Sequence, residues 1–113
     1  MLVYLLHFER PLKHAQHYIG STTDAGLSRR MTEHATGQGA RLTAAVARAK
    51  IPMTLARLWY SPDRRLETKL KAGRNARALC PVCRFGETGN PVLTGVPYAP
   101  AVGSWKPAHW SGE

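Results

Sequence analysis

Apolar side chains run without a break from Leu2 to Leu6 and return at Phe8, a stretch of strand length followed by the polar segment Glu9 to Gln16 around Pro11. A second short run, His17 to Ser21, closes at Gly20, so the pattern predicts two strands joined as a hairpin. With the hairpin midpoint near Pro11, Tyr4 and Tyr18 would stand opposite each other and share one pocket. Thr22, Thr23, Asp24 and Gly26 are turn and cap residues, and Leu27, Met31 and His34 then recur at helical spacing until Gly37 ends the helix. Arg30 and His34, four apart, fall on one face of it.

Beyond Gly37-Gln38-Gly39, Leu42, Ala45, Val46 and Ala49 mark the apolar stripe of a second helix, with Arg41 and Arg48 on another face and Pro52 past its end. Leu55 to Tyr60 predicts a third strand, in which Leu55, Arg57 and Trp59 alternate with Ala56, Leu58 and Tyr60 and Trp59 belongs to the core. Ser61 is placed to cap a helix with Pro62 at its first position and Leu66 and Leu70 on its core side. Past Gly73 no period persists, and five of the eight prolines (Pro81, Pro91, Pro97, Pro100, Pro107) fall there. The pattern divides the chain into a folded domain over residues 1–77 and an irregular Pro/Gly-rich appendage over 78–113 that carries a CxxC turn.

At 113 residues the chain has room for one modest core. Charge then narrows the class: 16 Lys plus Arg oppose 7 Asp plus Glu, for a net charge of +9 and a pI near 10.3. The excess sits in residues 41–77, with ten basic side chains against two acidic. Such a footprint points to a polyanionic partner, and nucleic acid fits it better than a membrane surface, which would require a basic amphipathic helix with aromatic residues. No stretch of about eighteen apolar residues is present to span a bilayer, and nothing at the start reads as a leader, so a cytoplasmic location is expected. Cys80 and Cys83 are too few for a secreted disulfide scaffold.

Tyrosine, arginine, histidine and a single carboxylate are a minimal set for breaking a phosphodiester bond. Their order here, Tyr4 on one strand, Tyr18-Ile19-Gly20 on the next, Arg30-x-x-x-His34 on a helix and Glu67 on a later helix, resembles the GIY-YIG endonuclease superfamily over about residues 1–72. The segments Thr22-Thr23-Asp24, Leu27-Ser28-Arg29-Arg30, Glu33-His34, Gly39-Ala40-Arg41-Leu42-Thr43 and Glu67-Thr68-Lys69-Leu70-Lys71 are similar to its small stand-alone bacterial members. Leu2-Val3-Tyr4 stands where that family has Gly-Ile-Tyr, which keeps the tyrosine and drops the glycine. Nor does a lysine follow the Tyr-Ile-Gly triplet, as it does in some relatives.

The resemblance implies an α/β fold with a small three-stranded mixed sheet flanked by helices in ββααβα order. It also implies a metal-dependent DNA endonuclease that nicks or cuts single-stranded or branched DNA. In that reading Glu67 holds Mg²⁺ or Mn²⁺, Tyr4 is the general base or orients the attacking water, and Tyr18 holds the phosphate or supports the proton transfer. Arg30 neutralises the scissile phosphate and His34 orients water or shuttles a proton. Arg29, Arg41, Arg48, Lys50, Lys69 and Lys71, with the segment from Arg57 to Arg77, would grip the backbone. The alternative is a non-catalytic nucleic-acid-binding module that keeps the fold.

Two other motif readings fail on geometry. Pro62-Asp63 with Glu67-Thr68-Lys69 has the letters of a PD-ExK nuclease, but a gap of one helical turn does not place those groups on paired strands. His7-Phe8-Glu9 with Cys80-Pro81-Val82-Cys83 has the letters of a zinc deaminase, yet its His-x-Glu lies in a strand and Leu79 precedes the first cysteine. Cys80 and Cys83 alone supply two of the four ligands zinc needs, with His14, His17, His109 or a partner chain as sources of the rest. Two reduced cysteines capping a turn is the plainer expectation.

Overall fold

Strand β1 (Leu2–Leu12) is buried without interruption from Leu2 to Phe8, which makes it the centre of the molecule. The computed structural model describes residues 1–86 and 90–92. β1 pairs on one side with β2 (Ala15–Thr22) and on the other with β3 (Met53–Tyr60), and β3 pairs in turn with the short β4 (Asn90–Val92). Among the described residues the sheet therefore has four strands in the order β2-β1-β3-β4, every pair antiparallel, where the expectation is three strands in a mixed sheet. Three residues with Pro91 among them show no strand period, so only the pairing of Met53 with Val92 reveals β4.

A continuous apolar run is what a strand needs when both its faces are covered. Leu2, Tyr4, Leu6 and Phe8 pack with Leu27, Met31 and Ala35 of α1 (Leu27–Thr36) and Val46 of α2 (Arg41–Arg48). Val3 and Leu5 face the other way, onto Ile19, Ala56, Trp59 and Cys80, with Leu66 and Leu70 of α3 (Arg65–Gly73), Leu79 of α4 (Ala76–Leu79) and Val82 of α5 (Pro81–Phe85) closing that side. Each fully buried Leu contributes about 1.5–3 kcal/mol relative to an exposed one.

Two irregularities alter the expected faces. In β3, Leu5 pairs with Arg57 while Leu6 pairs with Leu55, so Ala56 is an extra residue and the alternation reverses across it. Leu55 and Leu58 consequently share one core, and Ala56 and Trp59 the other. In the hairpin, strands extend through most of the predicted loop to a two-residue turn at Lys13 and His14, with Lys13 at φ 56°. Pro11 lies in β1 past Phe8, the last β1 residue paired with β3, so its missing N–H costs no ladder bond on that side. The turn falls past Pro11 and a bulge between His7 and Leu12 absorbs part of that displacement, so Tyr4 pairs with Gly20 and Leu6 with Tyr18. Tyr4 and Tyr18 are diagonal neighbours on one face rather than directly opposite, since a shift of two preserves the face.

Gly37 ends α1 in the left-handed region at φ 82°, its N–H reaching the carbonyls of Glu33 and His34. Ser61 does not cap α3 directly: its hydroxyl donates to the Asp63 carbonyl, and the Asp63 carboxylate accepts the Arg65 N–H at the helix start. α5 and β4 lie within the stretch past residue 77 that was expected to be irregular, because such short elements carry no readable period while Leu79, Cys80 and Val82 still supply apolar contact. The rest of the expected appendage, residues 87–89 and 93–113 with His109 among them, lies outside the described residues. No helix among the described residues is long and apolar enough to cross a membrane.

Leu5→Ala and Leu6→Ala, adjacent on β1 and facing opposite layers, should each cost about 2–5 kcal/mol in urea unfolding. A near-neutral Leu5→Ala would contradict the cover that α3 to α5 give the second face.

Candidate functional site

The Tyr4 hydroxyl is 2.7 Å from His34 Nε2, and His34 Nδ1 is 2.7 Å from the Thr43 hydroxyl, all three side chains fully buried. Thr43 Oγ1 also lies 3.1 Å from the Ala40 carbonyl, an acceptor only. Its single proton goes there, so it accepts from His34 Nδ1–H, which leaves Nε2 bare to accept from Tyr4 O–H. The chain Tyr4 to His34 to Thr43 to Ala40 thereby joins β1, α1 and α2 with one tautomer of the imidazole. Burial, reinforced by the Arg30 charge, lowers the His34 pKa to about 4, while Glu33 opposes the shift.

Two glycines make space for these rings. A Cβ on Gly20 would lie 2.5 Å from Tyr4 Oη and 2.9 Å from a Tyr18 ring carbon, and one on Gly39 would collide with the His34 imidazole. Tyr4, Tyr18 and His34 form an aromatic triangle with centroid separations of 6.3, 5.6 and 5.1 Å. Burial raises Tyr4 well above the ordinary phenol range, and the Tyr18 and Glu67 charges add to the rise against the hydrogen bond and charge of Arg30. Tyr4 thus holds its proton in the resting protein, since the arginine's pull is weaker than the desolvation it opposes.

Arg30, a third exposed, bonds Glu33 at 2.9 Å and also interacts with Tyr4. Burial works against its charge, but the hydrogen bonds to Glu33 and Tyr4 outweigh it and hold the guanidinium cationic. Glu67 approaches from α3 around the edge of β2. Ser21 Oγ donates to its Oε1 at 2.5 Å and Lys71 Nζ lies 2.9 Å from Oε2, one helical turn on. Burial would raise the carboxyl pKa, yet those two donors with the Lys71 and Arg64 charges bring it below the usual range. Lys71 Nζ is also 5.6 Å from the Tyr18 ring centroid, so this lysine supplies a cation beside the second tyrosine that the residues after Gly20 do not.

The tertiary structure therefore gathers Tyr4, Tyr18, Arg30 and His34 in one cluster, and Glu67 acts on Tyr4 through its charge. The basic residues divide. Arg41, Arg48, Lys50, Lys69 and Lys71 are exposed, as is Arg29, which pairs loosely with Glu33 at 3.4 Å. Arg57 instead turns inward, donating to the Leu79 carbonyl at 3.2 Å and stacking over Trp59 at 4.7 Å, which ties α4 to the sheet. It is removed from the surface set because the bulge at Ala56 aims it under α4.

Cys80 and Cys83 meet His7 and His17, a second cluster apart from the first. His17 was among the candidate ligands, whereas exposed His14 is absent from the group and His109 lies outside the described residues. His7 was missed as a partner, since only its cross-strand pairing with His17 brings the two together. Compared with known proteins, the chain matches no family model, no curated protein and no solved structure.

Gly20→Ala should destabilise the fold by about 1–3 kcal/mol, measured by urea denaturation, because the added methyl meets the Tyr4 ring, which is fully buried and cannot retreat into solvent. Acid should act through His34: its folded pKa lies below the unfolded value near 6.5, so the unfolded chain binds the proton more readily. Stability attributable to His34 is then present above about pH 6.5 and is lost as pH falls toward 4. His7 and His17 are also depressed by burial, so the informative measurement is the melting temperature of wild type minus that of His34→Gln across pH 4 to 7. A difference independent of pH would contradict a neutral, buried His34.

Proposed function

We propose that the chain is a metal-dependent DNA endonuclease of the GIY-YIG type, nicking or cutting single-stranded or branched DNA. The observation that carries this reading is the gathering of Tyr4, Tyr18, Arg30, His34 and Glu67, far apart in sequence, around the edge of β2. The order β1, β2, α1, α2, β3, α3 supports it, with α4, α5 and β4 as additions to the ββααβα plan. The fit to a divalent cation rests on Glu67, which is ionised, keeps 16% side-chain exposure, and retains a lone pair on each oxygen beyond its single donor. A hard carboxylate oxygen of this kind suits Mg²⁺ or Mn²⁺, and Lys71 sits on a flexible stem that can move from it to a phosphate. When bound, such an ion supplies charge neutralisation to the leaving oxygen and acidifies coordinated water.

The side chains account for the rest. Arg30, cationic and partly exposed, offers a planar fork to a non-bridging phosphate oxygen, beside half-buried Tyr18 and Lys71. Tyr4 stands behind them with its O–H donated to His34 Nε2, so a proton arriving at Tyr4 Oη would displace the phenol's own proton toward Nε2 while Nδ1–H stays on Thr43, a transfer that the low basicity of buried His34 keeps transient. Tyr4 works in this reading as a proton-passing group rather than as a resting phenolate. A groove of about 770 Å³ between the hairpin tip and α2 is lined by Leu12, Ala15, Leu42 and Ala45 as well as by Lys13, Arg41 and Arg48, and those three cations would meet a DNA backbone passing over an otherwise apolar surface.

With Mg²⁺ or Mn²⁺, purified protein should cleave at least one of a single-stranded, duplex or branched DNA. Glu67→Ala and Arg30→Ala should each lower the rate by about 10²-fold or more while gel-shift affinity is kept within a few-fold. Absence of metal-dependent cleavage across the panel would overturn the enzyme reading and leave a non-catalytic binding module. Full activity in Glu67→Ala would equally overturn it.

A further inference from the structure

On the sheet face away from Tyr4, four side chains point at one another. His7 Nδ1 lies 3.3 Å from His17 Nε2, 3.5 Å from Cys80 Sγ and 3.5 Å from Cys83 Sγ, and Cys83 Sγ lies 3.3 Å from His17 Nε2. All four ligand atoms fall within 4.8 Å of one another. Zinc bonds of about 2.05 Å to nitrogen and 2.3 Å to sulfur, at tetrahedral angles, require edges of about 3.3 Å between nitrogens and about 3.5 Å between nitrogen and sulfur. Each of the four edges given above falls within about 0.2 Å of those lengths. Hydrogen bonding is a poor alternative account, since a thiol is a weak donor and both sulfurs are free of disulfide.

The fold builds the group from two independent devices. His7 and His17 are directly paired across β1 and β2, which sets their rings side by side at a centroid distance of 5.2 Å. Cys80 precedes Pro81, the first residue of α5, and Cys83 follows one turn later, with the Arg84 N–H closing on the Cys80 carbonyl at 3.0 Å. That turn presents both sulfurs to the imidazoles.

We propose that His7 Nδ1, His17 Nε2, Cys80 Sγ and Cys83 Sγ form a tetrahedral structural zinc site that fastens α5 to the β1–β2 hairpin. Two thiolates and two imidazoles are a donor set for Zn²⁺ and a poor one for Mg²⁺, and with four protein ligands no position is left open for substrate. Binding releases the two thiol protons; two thiolates then balance the ion, so the buried cluster carries no net charge. The site is distinct from Glu67 and does not rest on the nuclease reading. Its consequence for the hairpin is mechanical: His17 precedes Tyr18, and His7 lies three residues along β1 from Tyr4, so the metal holds from behind the strands that carry both tyrosines.

The full chain, expressed with zinc in the medium and purified without metal-affinity resin, should contain one zinc per chain by elemental analysis. Native mass spectrometry should show the added ion less two protons. Co²⁺ loading of the apoprotein should give tetrahedral ligand-field bands with thiolate-to-cobalt charge transfer. Cys83→Ser should weaken zinc binding by about 100-fold or more, while His14→Ala leaves it unchanged. Should Cys83→Ser not fold, the wild-type zinc content and cobalt spectrum still decide. Wild-type protein without stoichiometric zinc, a cobalt spectrum lacking thiolate charge transfer, or unchanged zinc affinity in folded Cys83→Ser would each overturn the proposal.

Discussion

Burial of β1 on both faces is the constraint to which the other features answer. From Leu2 to Phe8 the strand has no side open to water, yet it carries Tyr4 and His7, one toward each layer. A buried polar group left without a partner costs about 1–3 kcal/mol, so each must be satisfied from within the protein. Tyr4 is satisfied by His34 of α1, itself held by Thr43 of α2, and His7 is turned toward His17 and the two cysteines around the start of α5. The helices on each face are thus located by polar contacts as well as by apolar packing.

Those contacts give the two faces different chemistry. Around Tyr4 the partners are aromatic rings, a cationic arginine and, past the edge of β2, an ionised glutamate. Around His7 they are a second imidazole and two sulfurs. Oxygen and guanidinium groups suit a phosphodiester with a hard cation, whereas sulfur and imidazole suit a soft, closed metal centre. Because β1 and β2 contribute to both clusters, one hairpin carries the two, one on each of its faces.

Local periodicity revealed the helical face shared by Arg30 and His34, the stop at Gly37 and the apolar runs of the first three strands, since each depends on neighbours within a turn or two. Tyr4 and Tyr18 share one face in the sequence pattern and in the sheet, with a register two residues from the one a midpoint at Pro11 predicts. The alternation in β3 misled, because a single bulged residue at Ala56 reverses every face after it and leaves no mark in the apolar pattern. The pairing of β4 and the packing of α4 and α5 were equally hidden. Elements of three to five residues are too short to show a period, and their positions follow from the surface they cover.

By itself the sequence determined which residue types were available, the basic surplus, and the one-turn relations of Arg30 with His34 and of Glu67 with Lys71, because helical spacing is a property of the local backbone. Only the tertiary structure decided that His34 faces Tyr4 with a bare Nε2, that Arg57 leaves the cationic surface, and that His7 rather than His14 joins Cys80 and Cys83. The physical reason is the same in each case. These relations are set by strand register, a bulge and the docking of helices on two faces, and no interaction within a short window of chain encodes them.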